Sequence, residues 1–215
     1  IPRVRAEHIL RPRLQEKLRN ATARRLVVVA APAAYGKTIL LAQFARQSPR
    51  PTAWYSAEPA DADIRTFLHR VYSSLAVVFY DFHVPPLLQS PLPSNWTSDS
   101  LIARLVNQLD DKNSGLILVW DDFHHLSSNP DIIAAVDQFI AHLPDDCTLI
   151  LGSRTIPNLP SLERLLAYRE ASLLSSQELS LTEAETLLLL NAIRGEVPPA
   201  LARQLHEKAN GWLGG

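Results

Sequence analysis

The sequence contains no methionine, not even at position 1. A chain that does not begin at an initiator residue reads as a piece of something longer. Only one cysteine, Cys147, is present, so no internal disulfide can form, and a reducing, cytoplasmic compartment is expected. In that setting Cys147 reads as a small buried apolar residue just ahead of a strand. The apolar runs all fall short of the roughly 18 residues that a membrane span needs. The N-terminal Ile1-Pro2-Arg3-Val4-Arg5 lacks the apolar core of a signal peptide. Two Asn-X-Thr triplets, at 20–22 and 95–97, have no meaning as glycosylation sites in a cytoplasmic protein. An excess of charge of one sign is missing too: 21 Lys and Arg against 22 Asp and Glu leave a net charge of -1, which argues against a polyanion binder. There is no solenoid-type repeat, no G-x-S-x-G elbow and no cysteine–histidine pairing pattern, so nucleophilic catalysis has no support.

What is present is an alternation of two periodicities. Residues 11–23 read as a short helix with Leu14, Leu18 and Ala21 on one face. Residues 26–30, Leu-Val-Val-Val-Ala, have the continuous β-branched character of a strand covered on both faces. Helical spacing follows over 38–47 (Ile39, Leu40, Leu41, Phe44), a second strand over 52–56, and a helix over 64–78 with Phe67, Leu68, Val71 and Leu75 on one stripe. Residues 81–97 carry Pro85, Pro86, Pro91 and Pro93 among polar residues and read as an irregular surface excursion. Helical spacing resumes over 97–109. A third buried strand covers 116–120 and runs into Asp121-Asp122. Asn129-Pro130 opens the next helix as an N-cap followed by proline. A fourth strand is expected over 148–152, a short helix over 162–168 and a weaker fifth strand over 171–174. From Thr182 onward the pattern is helical, opened by a capping box of Thr182 and Glu185 and closed after residues 199–209 by Asn210-Gly211. Strands that alternate with helices predict a parallel sheet covered on both faces, an α/β three-layer sandwich.

The chemistry concentrates where strands end. Ala31-Pro32-Ala33-Ala34-Tyr35-Gly36-Lys37-Thr38 lies between a buried strand and an amphipathic helix. It departs from G-x-x-x-x-G-K-[ST] only in Ala31, which stands where the first glycine is usual. Such a loop turns its backbone N–H groups and a helix N-terminus toward a phosphate. Lys37 reaches the β- and γ-phosphates and the Thr38 hydroxyl sits on Mg²⁺. Asp121 ends a run of apolar residues, as a metal-facing carboxylate does at the sheet's C-terminal edge. Asp122 either orients or deprotonates an attacking water or caps the next turn. Ser153-Arg154 ends the fourth strand, where Arg154 can sense a γ-phosphate or stand as a surface arginine. His124 and His125 lack the i, i+4 spacing of a metal pair and read as polar loop residues.

These motifs in this order resemble the P-loop ATPases of the STAND class, the signal-transduction ATPases with numerous domains. More narrowly, they resemble the MalT-like large LuxR-type transcriptional regulators. The family loop A-P-A-G-[YF]-G-K-T is similar to residues 31–38, and h-h-D-D-[YF]-H to Val119-Trp120-Asp121-Asp122-Phe123-His124. Further matches are Leu10-Arg11-Pro12-Arg13-Leu14, Trp54-Tyr55-Ser56, Leu151-Gly152-Ser153-Arg154, residues 179–185 and Asn210-Gly211-Trp212.

The resemblance implies an ASCE/AAA-like domain with a five-stranded parallel sheet over 1–178, whose residues 1–23 form a base-contacting segment and helix, followed over 179–215 by the truncated start of a helical lid. It implies an adenine nucleotide, ATP or ADP, with Mg²⁺. Binding falls to Arg11, Arg13, Ala33, Ala34, Tyr35, Gly36, Lys37, Thr38 and Ile39, the metal to Thr38 and Asp121, and catalytic roles to Asp122 and Arg154. Such proteins rest with ADP, exchange it for ATP on a signal and then self-associate; hydrolysis is slow or absent. DNA would be reached only through a helix-turn-helix that this chain does not carry. A different signalling or defence parent, or a P-loop domain turned to protein interaction, remains the alternative. One departure has a physical consequence: Ala34 replaces the family glycine, and at positive φ an alanine costs about 1–2 kcal/mol.

Overall fold

The computed structural model describes residues 1–5, 7–88 and 97–212. Pro91, Pro93, most of the 95–97 triplet and the last residues of the expected lid lie outside the described residues.

Five parallel strands form one sheet: β1 (Leu26–Ala30), β2 (Thr52–Ser56), β3 (Ile117–Asp121), β4 (Thr148–Ser153) and β5 (Ala171–Leu174), in the order β2-β3-β4-β1-β5. Val29 pairs with Gly152 and Ala30 with Ser153. The strand that enters the phosphate loop thus runs directly beside the one that ends in Ser153-Arg154. The central strands β1, β3 and β4 are buried along their whole length, as their unbroken apolar runs require.

Side chains alternate between two cores. Val27, Val29, Ile117, Val119 and Ile150 pack with α1 (Pro12–Ala21) and α2 (Lys37–Gln47) through Leu14, Leu18, Leu40, Leu41 and Phe44. Leu26, Val28, Leu118, Trp120, Leu149 and Leu151 face the opposite layer of α3 (Ile64–Val78), α4 (Ser98–Asp110), α5 (Pro130–His142) and α6 (Leu162–Ala167). Local signals set the helix starts. The Asp63 carboxylate accepts from the Thr66 N–H at 2.9 Å, and the Asn129 side chain accepts from the N–H groups of Asp131 and Ile132. At the sheet edge remote from the phosphate loop, the Arg50 guanidinium donates to the carbonyls of Thr22, Gly115, Leu116 and Asp146 and to the Thr148 hydroxyl. One side chain thereby satisfies strand-entry carbonyls that would otherwise be orphaned.

Among the described residues three further helices follow: α7 (Ser176–Leu179), α8 (Glu183–Arg194) and α9 (Pro199–Ala209). The four-residue α7, too short for a periodicity, has no counterpart in the sequence-based expectation; a Ser175–Glu178 capping box holds it. The capping box of Thr182 and Glu185 forms as the sequence predicts. Asn210 ends α9 in the left-handed region. Cys147 is buried, and burial pushes its thiol up to about 12, consistent with an inert residue. Among the described residues no helix is long and apolar enough to cross a membrane.

Candidate nucleotide site

The phosphate loop begins where β1 ends. The Ala31 N–H donates to the Ser153 carbonyl at 3.2 Å, tying the start of the loop to the end of β4. Ala34 lies at φ 61 and Gly36 at φ 75, both in the left-handed region. Glycine carries no penalty there, whereas Ala34 holds the conformation against its own Cβ. Gly36 is also the N-cap of α2, and the two left-handed residues curl the backbone ahead of a helix N-terminus. Lys37 lies back along this curl, and its Nζ donates to the carbonyls of Ala31 at 2.7 Å and Pro32 at 3.0 Å. Burial lowers its pKa, assisted by Arg154 and opposed by Asp121 and Asp122.

A cleft of about 270 Å³ opens over the loop, lined by Ala33, Ala34, Gly36, Lys37, Thr38, Ile39, Asp122 and Arg154. The structure therefore gathers both candidate catalytic residues with the loop. Asp121 sits beneath them at 0% exposure, and among the described residues no donor comes within 3.5 Å and in line with either carboxylate oxygen, the Thr38 hydroxyl and the Asp122 N–H being its nearest donors. Burial raises its pKa, with repulsion from the Asp122 carboxylate in the same direction; hydrogen bonding from the Thr38 hydroxyl and the Asp122 N–H, and the Lys37 charge, work the other way. A buried carboxylate with both oxygens unpartnered is costly unless something else satisfies it. A hydroxyl and a carboxylate at the foot of a cleft are the oxygen donors that Mg²⁺ takes, so Thr38 and Asp121 would fit that cation. Asp122 adopts φ 55 and is half-exposed, turned from the sheet axis toward the cleft. His124 lies 3.8 Å from its carboxylate, with both ring nitrogens buried and unpartnered. Burial, then His125 and Arg154, hold His124 below the ordinary histidine value.

A second cavity, of about 90 Å³ and mostly apolar, adjoins the loop through Gly36 and Ile39. Glu7, His8, Ile9 and Arg11 wall one side, Leu40 and Gln43 another, and Leu189 of α8 closes it. The Gln43 amide donates to the Ile9 carbonyl at 3.1 Å, pinning the N-terminal segment to α2.

The two arginines expected together are separated by the structure. Arg11 lines the cavity and keeps Nε and Nη1 buried without partners, while its Nη2 donates to Leu179 O, Ser180 O and Glu185. Arg13 does not line the cavity. All three of its guanidinium nitrogens go to Glu178 O, Ser180 O and the Glu185 carboxylate, which makes it a clamp on the start of α8. Tyr35 likewise turns from the phosphate cleft toward Ser176, Ser180, His206 and Asn210.

Three features escape a reading of the sequence. The Ser153 hydroxyl is fully buried and unpartnered at the end of β4; its only sequence signal is a polar residue closing an apolar strand. Leu189 belongs to an apolar run in α8, so only the fold shows which leucine meets the cavity. The Trp212 indole donates to the Ala33 carbonyl at 3.2 Å across 179 positions, a contact that no local pattern encodes.

No family model matches the chain. Over 211 residues, 97% of this chain, it is 30% identical to the HTH-type transcriptional regulator MalT of Cronobacter sakazakii, of which it spans 23%. Its fold is similar to that of a Pyrococcus horikoshii signal transduction ATPase with numerous domains that carries a tetratricopeptide repeat sensor. There the TM-score is 0.70 at 19% identity, covering 99% of this chain and 29% of that one. A Walker-type ATPase of Pyrococcus abyssi superposes with a TM-score of 0.65 at 15% identity, over 100% of this chain and 67% of the other. Taken with the five-stranded parallel sheet and the phosphate loop, these likenesses make the chain a MalT-like P-loop domain with the architecture of the STAND ATPases.

Proposed function

We propose that this chain binds an adenine nucleotide, ATP or ADP, together with Mg²⁺, and serves as the nucleotide-controlled switch of a longer regulator. The observation that carries the reading is the fully buried Asp121, whose carboxylate oxygens have no close, well-aligned donor among the described residues and which neighbours the Thr38 hydroxyl and Lys37. The loop N–H groups and the α2 N-terminus hold the phosphates. Lys37 would leave the carbonyls of Ala31 and Pro32 to reach the β- and γ-oxygens, and Thr38 and Asp121 would hold the cation. Mg²⁺, when bound, neutralises charge on the phosphate oxygens. Arg154 lies in the phosphate cleft, placed to distinguish a γ-phosphate from its absence. The half-exposed Asp122 takes a proton from, or orients, an attacking water, and turnover in the isolated domain is slow. The base enters the apolar cavity beside Ile39, which Arg11 also lines.

Under this reading residues 1–178 form the nucleotide-binding domain and 179–215 the start of a lid. Glu185 bonds to Arg11 and Arg13 of the N-terminal segment and Leu189 lines the apolar cavity, contacts that support a lid in touch with the bound base. A nucleotide that fills the cavity then biases lid position, which is how ligand identity becomes a conformational signal. The printed name of the MalT relative, an HTH-type transcriptional regulator, supports transcription control by a longer parent protein; a cytoplasmic setting, DNA contact and self-association in the ATP state belong to that parent in this proposal.

The test is to denature purified protein, chromatograph the released small molecules, and measure thermal shifts with ADP. At a hundredfold excess over Kd, ligand adds about 2.7 kcal/mol, roughly 5–10 °C for a chain of this size. Lys37→Ala is expected to abolish both retained nucleotide and the shift. Absence of nucleotide and of any shift in the wild type would sink the proposal.

A further inference from the structure

Gly152 lies inside β4, pairs with Val29 of β1 and faces the same side of the sheet as Asp121 on the neighbouring β3. Its backbone does not need glycine, since its φ lies outside the left-handed region. Within a strand, glycine gives up packing and order. The reason for it here is therefore space. A Cβ at this position would lie 2.5 Å from Asp121 Oδ1 and 3.1 Å from Leu41 Cδ1, yet at an ordinary 3.5 Å from the Asp121 Cα. The clash falls on the end of a carboxylate rather than on backbone. Turning the Asp121 side chain relieves it, with Leu41 limiting the room available.

From this clearance we infer that Gly152 is a positioning residue for Asp121: its missing side chain keeps the carboxylate in the orientation that serves a cation held with Thr38. The inference rests on the proposed reading of Asp121 as the Mg²⁺ carboxylate. It goes beyond that reading in naming a residue that would touch neither nucleotide nor metal. An alanine at 152 leaves the sheet intact and rotates the carboxylate away, so its effect is confined to the metal-dependent part of binding.

Calorimetric titration of the intact chain with ADP, with Mg²⁺ and then with EDTA, separates the two parts. In Gly152→Ala the Mg²⁺-dependent gain in affinity is expected to fall by about 10–100-fold, the range seen when the support of a metal ligand is removed. ADP affinity in EDTA stays within about twofold of wild type. The melting temperature holds or rises slightly, because alanine restricts the unfolded chain more than glycine does. Asp121→Asn reproduces the loss, and the double variant loses no more than Asp121→Asn alone, since the two changes remove one interaction. A Gly152→Ala protein with the full Mg²⁺ gain, an equal loss with and without Mg²⁺, or multiplying losses in the double variant would overturn the inference. A wild type with no Mg²⁺ gain and a silent Asp121→Asn would instead overturn the reading of Asp121, and this inference with it.

Discussion

Ala34→Gly is expected to improve the protein, and the size of the improvement follows from one backbone angle. Ala34 sits at φ 61 in the phosphate loop, where an L-residue with a Cβ is disfavoured by about 1–2 kcal/mol. Glycine removes that strain but adds about 0.4–1 kcal/mol of unfolded-chain freedom. The net gain is about 0.5–1 kcal/mol, a rise of roughly 1–4 °C in melting temperature for this size of chain. If the loop instead relaxes when no nucleotide is bound, the strain is incurred on binding. The same change then tightens ADP by about two- to fivefold and leaves the melting temperature of the free protein flat or slightly lower. Differential scanning fluorimetry and ADP titration on the same preparations read both quantities. Ala33→Gly is the control: Ala33 is a neighbour in the same cleft without a positive φ, so glycine there brings only the entropic loss. A lower melting temperature for Ala34→Gly with no gain in affinity would refute the strain argument.

The clamp of Arg11 and Arg13 on Glu185 gives a pH-dependent test. Burial pushes the Glu185 carboxyl up, but hydrogen bonds from Arg13, the Thr182 N–H and Arg11 outweigh it and hold the group below the usual carboxylate value of 4.5. A depressed folded-state pKa contributes stability that is complete above the unfolded value and drains as pH falls through the folded one. The melting-temperature gap between wild type and Glu185→Gln should therefore be constant near neutrality and shrink below about pH 4.5; a pH-independent gap would contradict the clamp. Glu185→Ala leaves the buried Arg11 without its counter-charge and is expected to cost about 3 kcal/mol by thermal or urea melting. At the phosphate cleft, Arg154→Ala should weaken ATP by about tenfold, the value of one charge-assisted hydrogen bond, and ADP by much less; equal losses would make Arg154 a general anchor.

Much of this arrangement is written locally. The unbroken apolar runs at 26–30, 116–120 and 148–152 name the three buried strands, because a strand covered on both faces has no polar side to show. Observed β3 and β4 each extend one residue further, to Asp121 and Ser153, since a polar residue can close a strand at the edge where the site lies. Phosphate loop, helix caps and capping box are equally legible, for their hydrogen bonds span only a few positions. The partition of Arg11 and Arg13 is not. Both belong to one motif, yet a side chain's partner is chosen by whatever the fold carries past it, here Glu185 more than 170 positions away. Strand order is the same kind of fact: β4 inserts between β1 and β3 and so brings Gly152 beside Asp121. The sequence by itself determined which residues are candidates for a phosphate and a cation, since backbone curl, helix start and strand end are short-range properties. Only the tertiary structure decided which distant groups surround them — Arg154 in the cleft, Leu189 over the apolar cavity, Trp212 on Ala33 — because those neighbours are set by packing between elements that no local pattern encodes.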